Sequence, residues 1–166
     1  MTTAAEIAVR MGEIAVSADP GDVLVSLGLG SCIGLALVDQ RRGIAGLAHI
    51  MLPEALAGGG PAGKFADVAV PALAERTTAL GTSRPMLKAV LVGGAQMFSL
   101  GDSGAMDIGA RNVTAVREAL AKERIPVVAA ATGGAKGRTI RVVPGGAVLS
   151  KEAGGAEIAL MQGVRA

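Results

Sequence analysis

The 166-residue sequence has no tryptophan and no tyrosine, and its only aromatic side chains are two phenylalanines. It contains one cysteine, Cys32, and one histidine, His49. Each scarcity excludes something. Without stacking aromatics, and with a net charge of only +2, the chain lacks the basic and aromatic surface of a single-strand nucleic-acid binder. A lone cysteine forms no internal disulfide, which suits a reducing compartment. One histidine and one cysteine fall short of the usual zinc donor set, so no metal is expected. No basic segment followed by an apolar stretch opens the chain, so no secretory signal is read there. The longest uncharged apolar run, Val23 to Val38, is broken by glycines and too short for a bilayer span. The expectation is a soluble cytoplasmic protein with no cofactor, no nucleic-acid partner and no membrane insertion.

What is abundant is small and aliphatic. Half the residues are hydrophobic, so Val, Ile, Leu, Ala and Met must build the core. Twenty-five glycines point to tight turns and close backbone contacts. The length suits a single domain over 1–166, with a core of about 13–150 and a C-terminal tail, 151–166, free to move.

Periodicity divides the chain into alternating elements. Glu13 to Ser17, Val23 to Leu29, Ile33 to Val38 and Ile44 to Met51 read as strands, the last two as a hairpin around Asp39-Gln40-Arg41-Arg42. Phe65 to Leu80 reads as a helix ending at Gly81, with Pro71 starting or bending it. Leu87 to Val92 is a buried strand, and Gly93 to Met106 an irregular loop. A second helix is expected from an N-cap at Asp107 to about Arg124, with Ile108, Val113, Val116 and Leu120 on one face. Val127 to Ala131, Thr139 to Val143 and Ala147 to Leu149 are further strands. The fold class is α/β, a single domain with a layered mixed β-sheet and flanking helices.

Cys32 and His49 lie close in sequence, and a thiol with an imidazole suffices for nucleophilic acyl chemistry. If Asp39 to Arg42 form a four-residue loop, Val38 pairs with Gly43 and Cys32 falls directly opposite His49, on one face. A five-residue loop sends the two to opposite faces. A lone buried cysteine is commonly a small hydrophobe. Here the preceding Gly28-Leu29-Gly30-Ser31 argues for more, because glycine lets backbone approach a substrate and leaves amide N–H groups for an oxyanion.

The chain resembles the CheD family of chemoreceptor glutamine deamidases at six places. These are Leu27-Gly28-Leu29-Gly30-Ser31-Cys32, His49-Ile50-Met51-Leu52-Pro53, Lys64-Phe65-Ala66-Asp67, Gly93-Gly94-Ala95-Gln96-Met97-Phe98, Asp107-Ile108-Gly109-Ala110-Arg111-Asn112 and Gly133-Gly134-Ala135-Lys136-Gly137-Arg138. The resemblance implies Cys32 as nucleophile, His49 as general base and Ser26 at the position of the family's third catalytic residue, a threonine. It implies oxyanion donors at Gly30 and Ser31, and substrate contacts at Phe98, Gly134 and Arg138. The chain departs from the family at Ser26, at Phe65 where tyrosine is common, and at Ala135 where asparagine is usual. The implied reaction converts receptor glutamine to glutamate through a Cys32 thioester, without cofactor, and glutamate methyl esters fit the same acyl-enzyme. The implied partners are the cytoplasmic helices of methyl-accepting chemoreceptors and a CheC-type phosphatase. An alternative reading makes the protein mainly a docking partner of that phosphatase.

Two other motifs lead nowhere. Gly58-Gly59-Gly60-Pro61-Ala62-Gly63-Lys64 starts like a P-loop but places Phe65 where a hydroxyl must meet magnesium. Gly28, Gly30 and Gly34 miss the dinucleotide-binding spacing by one residue.

Overall fold

The strands β4 (Ile33–Asp39) and β5 (Ile44–Ile50) are buried at every position, which is why their sequences run almost continuously apolar. The computed structural model describes residues 5–55, 60–96 and 107–163. β4 is the centre of a five-stranded sheet completed by β2 (Ile14–Ser17), β6 (Lys88–Gly93) and β7 (Val127–Thr132), in the order β2-β5-β4-β6-β7. A second five-stranded sheet contains β1 (Ala5–Ala8), β3 (Asp22–Leu29), β8 (Arg138–Val142), β9 (Val148–Glu152) and β10 (Glu157–Met161), in the order β1-β3-β8-β9-β10. Each sheet has one parallel pair, β6–β7 and β1–β3, and is otherwise antiparallel. The layered mixed sheet read from sequence is therefore two sheets.

Strand alternation assigns the two faces of β4 and β5 to different layers. Leu35, Leu37, Ala48 and Ile50 pack against Val70 and Leu73 of α1 (Ala66–Thr78) and Val116 and Leu120 of α2 (Ile108–Lys122). Ala36, Val38, Ala45 and Leu47 point the other way, onto Leu24, Leu29, Ile140 and Val142 of the second sheet. Each buried leucine or valine contributes about 1.5–3 kcal/mol. The result is three layers: helices, inner sheet, outer sheet. No helix among the described residues is long and apolar enough to cross a membrane.

Most sequence-derived elements stand at their expected places, with four differences. The hairpin loop is Gln40–Gly43, because Asp39 pairs with Ile44. Asp39 ends its strand by accepting from the Arg42 amide at 3.2 Å, and Gly43 takes φ +66° inside the turn. Pro71 lies within α1, whose C-cap is Ala79 and not Gly81. β1 was not foreseen. The stretch 151–166, read as a loose tail, is strand-paired through Glu157–Met161, which runs antiparallel to β9.

Candidate active site

His49 is held on three sides by main chain. Its own N–H donates to Glu13 O at 3.0 Å, and its carbonyl accepts from Gly12 N at 2.9 Å. Across the ladder it faces Gly34. A Cβ at Gly34 would lie 2.8 Å from Ile140 Cγ2 and 2.9 Å from Leu29 Cδ1, so this pair looks into the space between the sheets. The ring Nδ1 is 3.0 Å from Val9 O. A carbonyl only accepts, so Nδ1 carries the proton and Nε2 is left as the basic nitrogen. Burial pulls the His49 pKa below its usual 6.5, outweighing the Val9 hydrogen bond and the charge of Glu13. The imidazole is therefore neutral at physiological pH, the form a general base requires.

Ser26, 1% exposed, donates its hydroxyl to the same Val9 oxygen at 2.7 Å. The two lone pairs of one carbonyl take both donors. Ser26 thus bears on His49 through a shared acceptor, with its own proton committed to Val9.

Cys32 ends a three-residue turn, Gly30–Cys32, between β3 and β4. Every carbonyl of that turn is pinned. Gly30 O accepts from Ala95 N, Ser31 O from Asn112 Nδ2 and Cys32 O from Gly94 N, each at 2.9 Å. Among the described residues, none accepts from the N–H groups of Gly30, Ser31 or Cys32. The turn therefore turns its acceptors into the protein and keeps its donors available, as an oxyanion site needs. The pinning demands glycine at position 93, where φ is +115° and a Cβ would fall 2.2 Å from Cys32 O.

Cys32 is half-buried at the rim of the inter-sheet core, and burial pushes its thiol above 9.0. The register places it differently from expectation. With Gly34 opposite His49, Cys32 is two residues further along, a diagonal neighbour on the same side, and diagonal Cα atoms stand about 7–8 Å apart. The loop moves by one residue and the register by two, which by strand alternation keeps Cys32 on the His49 side and removes the direct opposition.

Other motif segments converge here. Gly133 N donates to Gly93 O at 3.1 Å and Gln96 N to Gly134 O at 2.9 Å. Arg138 donates to Gly133 O at 2.7 Å and lies 3.7 Å from Glu152, so its guanidinium shapes the loop that carries Gly134. Lys64 O accepts from both Met51 N and Leu52 N, tying the start of α1 to the segment after His49. Phe98 lies outside the described residues. Val9 escaped sequence reasoning because a main-chain acceptor leaves no side-chain signal. Asn112 left one: it falls on the apolar face of α2, four residues before Val116, and is fully buried.

Residues 51–152 match the family model described as CheD chemotactic sensory transduction. A Geobacillus kaustophilus protein named "Probable chemoreceptor glutamine deamidase CheD" is 45% identical over 163 residues, covering 95% of this chain and 98% of that protein. A Symbiobacterium thermophilum protein of the same name is 45% identical over 139 residues, 81% of this chain and 84% of its own length. A crystal structure of a Neisseria meningitidis protein from the DUF152 family aligns with a TM-score of 0.45 at 11% identity, over 79% of this chain and 63% of that one.

Proposed function

The chain belongs to the CheD family, and from that premise we propose that it is a cysteine-dependent glutamine deamidase acting on chemoreceptors. The observation that carries this reading is the pairing of a turn at Cys32 whose N–H donors have no acceptor among the described residues with a neutral, tautomer-fixed imidazole on the same side.

The reaction follows from the chemistry of the two groups. The thiol and imidazole both rest neutral, since burial raises one pKa and lowers the other. Attack therefore begins with transfer of the Cys32 proton to His49 Nε2 as the substrate carboxamide arrives. Hydrogen bonds that are long in a free enzyme shorten in the Michaelis complex, and the diagonal step between Cys32 and His49 is the gap to be closed. The thiolate adds to the carboxamide carbon, and the main-chain N–H groups of Gly30, Ser31 and Cys32 receive the oxyanion. When the C–N bond breaks, the imidazolium gives its proton to nitrogen and ammonia leaves. Water, deprotonated by His49, then adds to the thioester; the C–S bond breaks, the thiol is restored and glutamate is released. A glutamate methyl ester enters the same acyl-enzyme with methanol as leaving group. Val9 O stabilises the transient imidazolium through Nδ1, and Ser26 holds that carbonyl in place.

The test is ammonia release from a purified receptor cytoplasmic fragment, with the protein and with Cys32→Ala. Release by the protein and none by the variant is expected. Release by both overturns Cys32 as nucleophile. Release by neither favours the docking role with a CheC-type phosphatase.

A further inference from the structure

Of the three contacts that pin the Gly30–Cys32 turn, two come from main-chain amides and one from a side chain, Asn112. That side chain makes a second contact. Its Nδ2 donates to Ser31 O and to Met51 O, both at 2.9 Å. Ser31 precedes Cys32, and Met51 is two residues beyond His49. One amide nitrogen thus bridges the strand end that carries the nucleophile and the strand end that carries the base.

The bridge sits on a firm mount. Asp107 caps α2 by accepting from Ala110 N at 2.9 Å. Gly109 brings the helix against the strand end, since a Cβ there would lie 2.5 Å from the carbonyl oxygens of both Gly94 and Ala95. Asn112 itself is 0% exposed, and its Oδ1 is buried with no hydrogen-bond partner among the described residues. Leaving a buried acceptor unsatisfied costs about 1–3 kcal/mol. The chain therefore bears a stability cost at a residue whose side chain ties the turn before β4 to the segment after β5, beyond the end of their ladder.

We propose that Asn112 is a positioning residue that sets the separation between Cys32 and His49 by holding the Ser31 and Met51 carbonyls on one nitrogen. This rests on the deamidase reading above. Misplacement of reacting groups by about 1 Å costs on the order of 100-fold in rate.

The experiment reads the pair directly, by the pH profile of Cys32 alkylation with iodoacetamide, beside kcat and KM on the receptor fragment. Because the thiol rests protonated, alkylation near neutral pH requires His49 to take the thiol proton as sulfur attacks the reagent, and His49→Ala is expected to abolish that component. Asn112→Ala and the isosteric Asn112→Asp are expected to lose that same component and to lower kcat by roughly 10- to 100-fold with KM within about twofold. Thr77→Ala is the control. Thr77 is equally buried, bonds the Leu73 and Ala74 carbonyls within α1 and packs on β5 at Gly46, on the sheet face opposite His49, so its loss lowers the melting temperature and leaves the profile intact. Asn112 variants with a wild-type profile and kcat overturn the proposal. So does failure of both Asn112 variants to fold while Thr77→Ala folds, which makes the residue purely structural. An unchanged profile in His49→Ala sinks the Cys32–His49 reading itself, a separate outcome.

Discussion

His49 and Cys32 are neighbours held by different means. His49 sits inside β5, a strand paired on both sides, and its main chain is bonded to Gly12 and Glu13. Its position is the product of ladder register. Cys32 sits in a turn outside any ladder, and its place depends on Gly94, Ala95 and Asn112, residues some sixty to eighty positions away in sequence. The proposed base is a fixture of the sheet, whereas the proposed nucleophile is placed by tertiary contact. The proposed proton transfer between the two demands that both kinds of order be present at once.

The largest expected effects remove either member. Cys32→Ala abolishes deamidation, about a thousandfold or more, with the melting temperature nearly unchanged because the site is only half-buried. His49→Ala lowers kcat by about 10²–10⁴, measured as ammonia release. Gly93→Ala attacks the tertiary side alone. Its Cβ would meet Cys32 O at 2.2 Å with φ at +115°, so a loss of roughly 2–4 kcal/mol in denaturant unfolding is expected. Activity falls with it, while the NMR resonances of the His49 ring stay in place. If those resonances move as far as the thiol reactivity does, the two halves are not independent. Ser26→Ala attacks the ladder side. It removes one donor from Val9 O and leaves the other, so a loss of about 1 kcal/mol and less than tenfold in rate is expected. A loss as large as that of His49→Ala means that the hydroxyl contacts the imidazole during the reaction.

The smallest effects are in pH. Burial leaves His49 binding its proton less tightly in the folded state than in the unfolded chain. Stability is therefore full above 6.5 and declines as pH falls below it. Cys32 holds its proton more tightly when folded, so its share of stability is full below 9.0 and declines as pH rises past that value. Thermal melts across this range check both signs, and His49→Ala is expected to flatten only the acid side. The acid limb of activity likewise falls below 6.5, because only the neutral imidazole accepts the thiol proton.

The sequence pointed to Cys32 and His49 as a candidate pair more clearly than it showed their geometry. A single cysteine and a single histidine left no competing assignment, and β4 and β5 announced themselves by their apolar runs. The register was missed by two residues because the turn is set by an Asp39 side-chain bond and by the positive φ of Gly43, and composition treats the polar residues there alike. β1 and β10 were missed because strands at the edge of a sheet, exposed along most of their length, lack the hydrophobic pattern that marks the inner ones. Arg138, a substrate contact by family resemblance, donates to the Gly133 and Gly93 carbonyls and lies beside Glu152, partners that a charge in the sequence does not name. The glycine motifs were legible as places of close approach. Which backbone approaches which was not, since that is decided between segments far apart along the chain.

β1, four residues long and bonded along one side only to β3, leads straight into Val9, whose oxygen fixes the proton arrangement of the imidazole. Short border strands open and reclose at far lower energy than the interior of a domain. Warming should consequently release the ring to exchange its two neutral forms well before the fold melts, so turnover fades at temperatures where the protein still looks intact by circular dichroism.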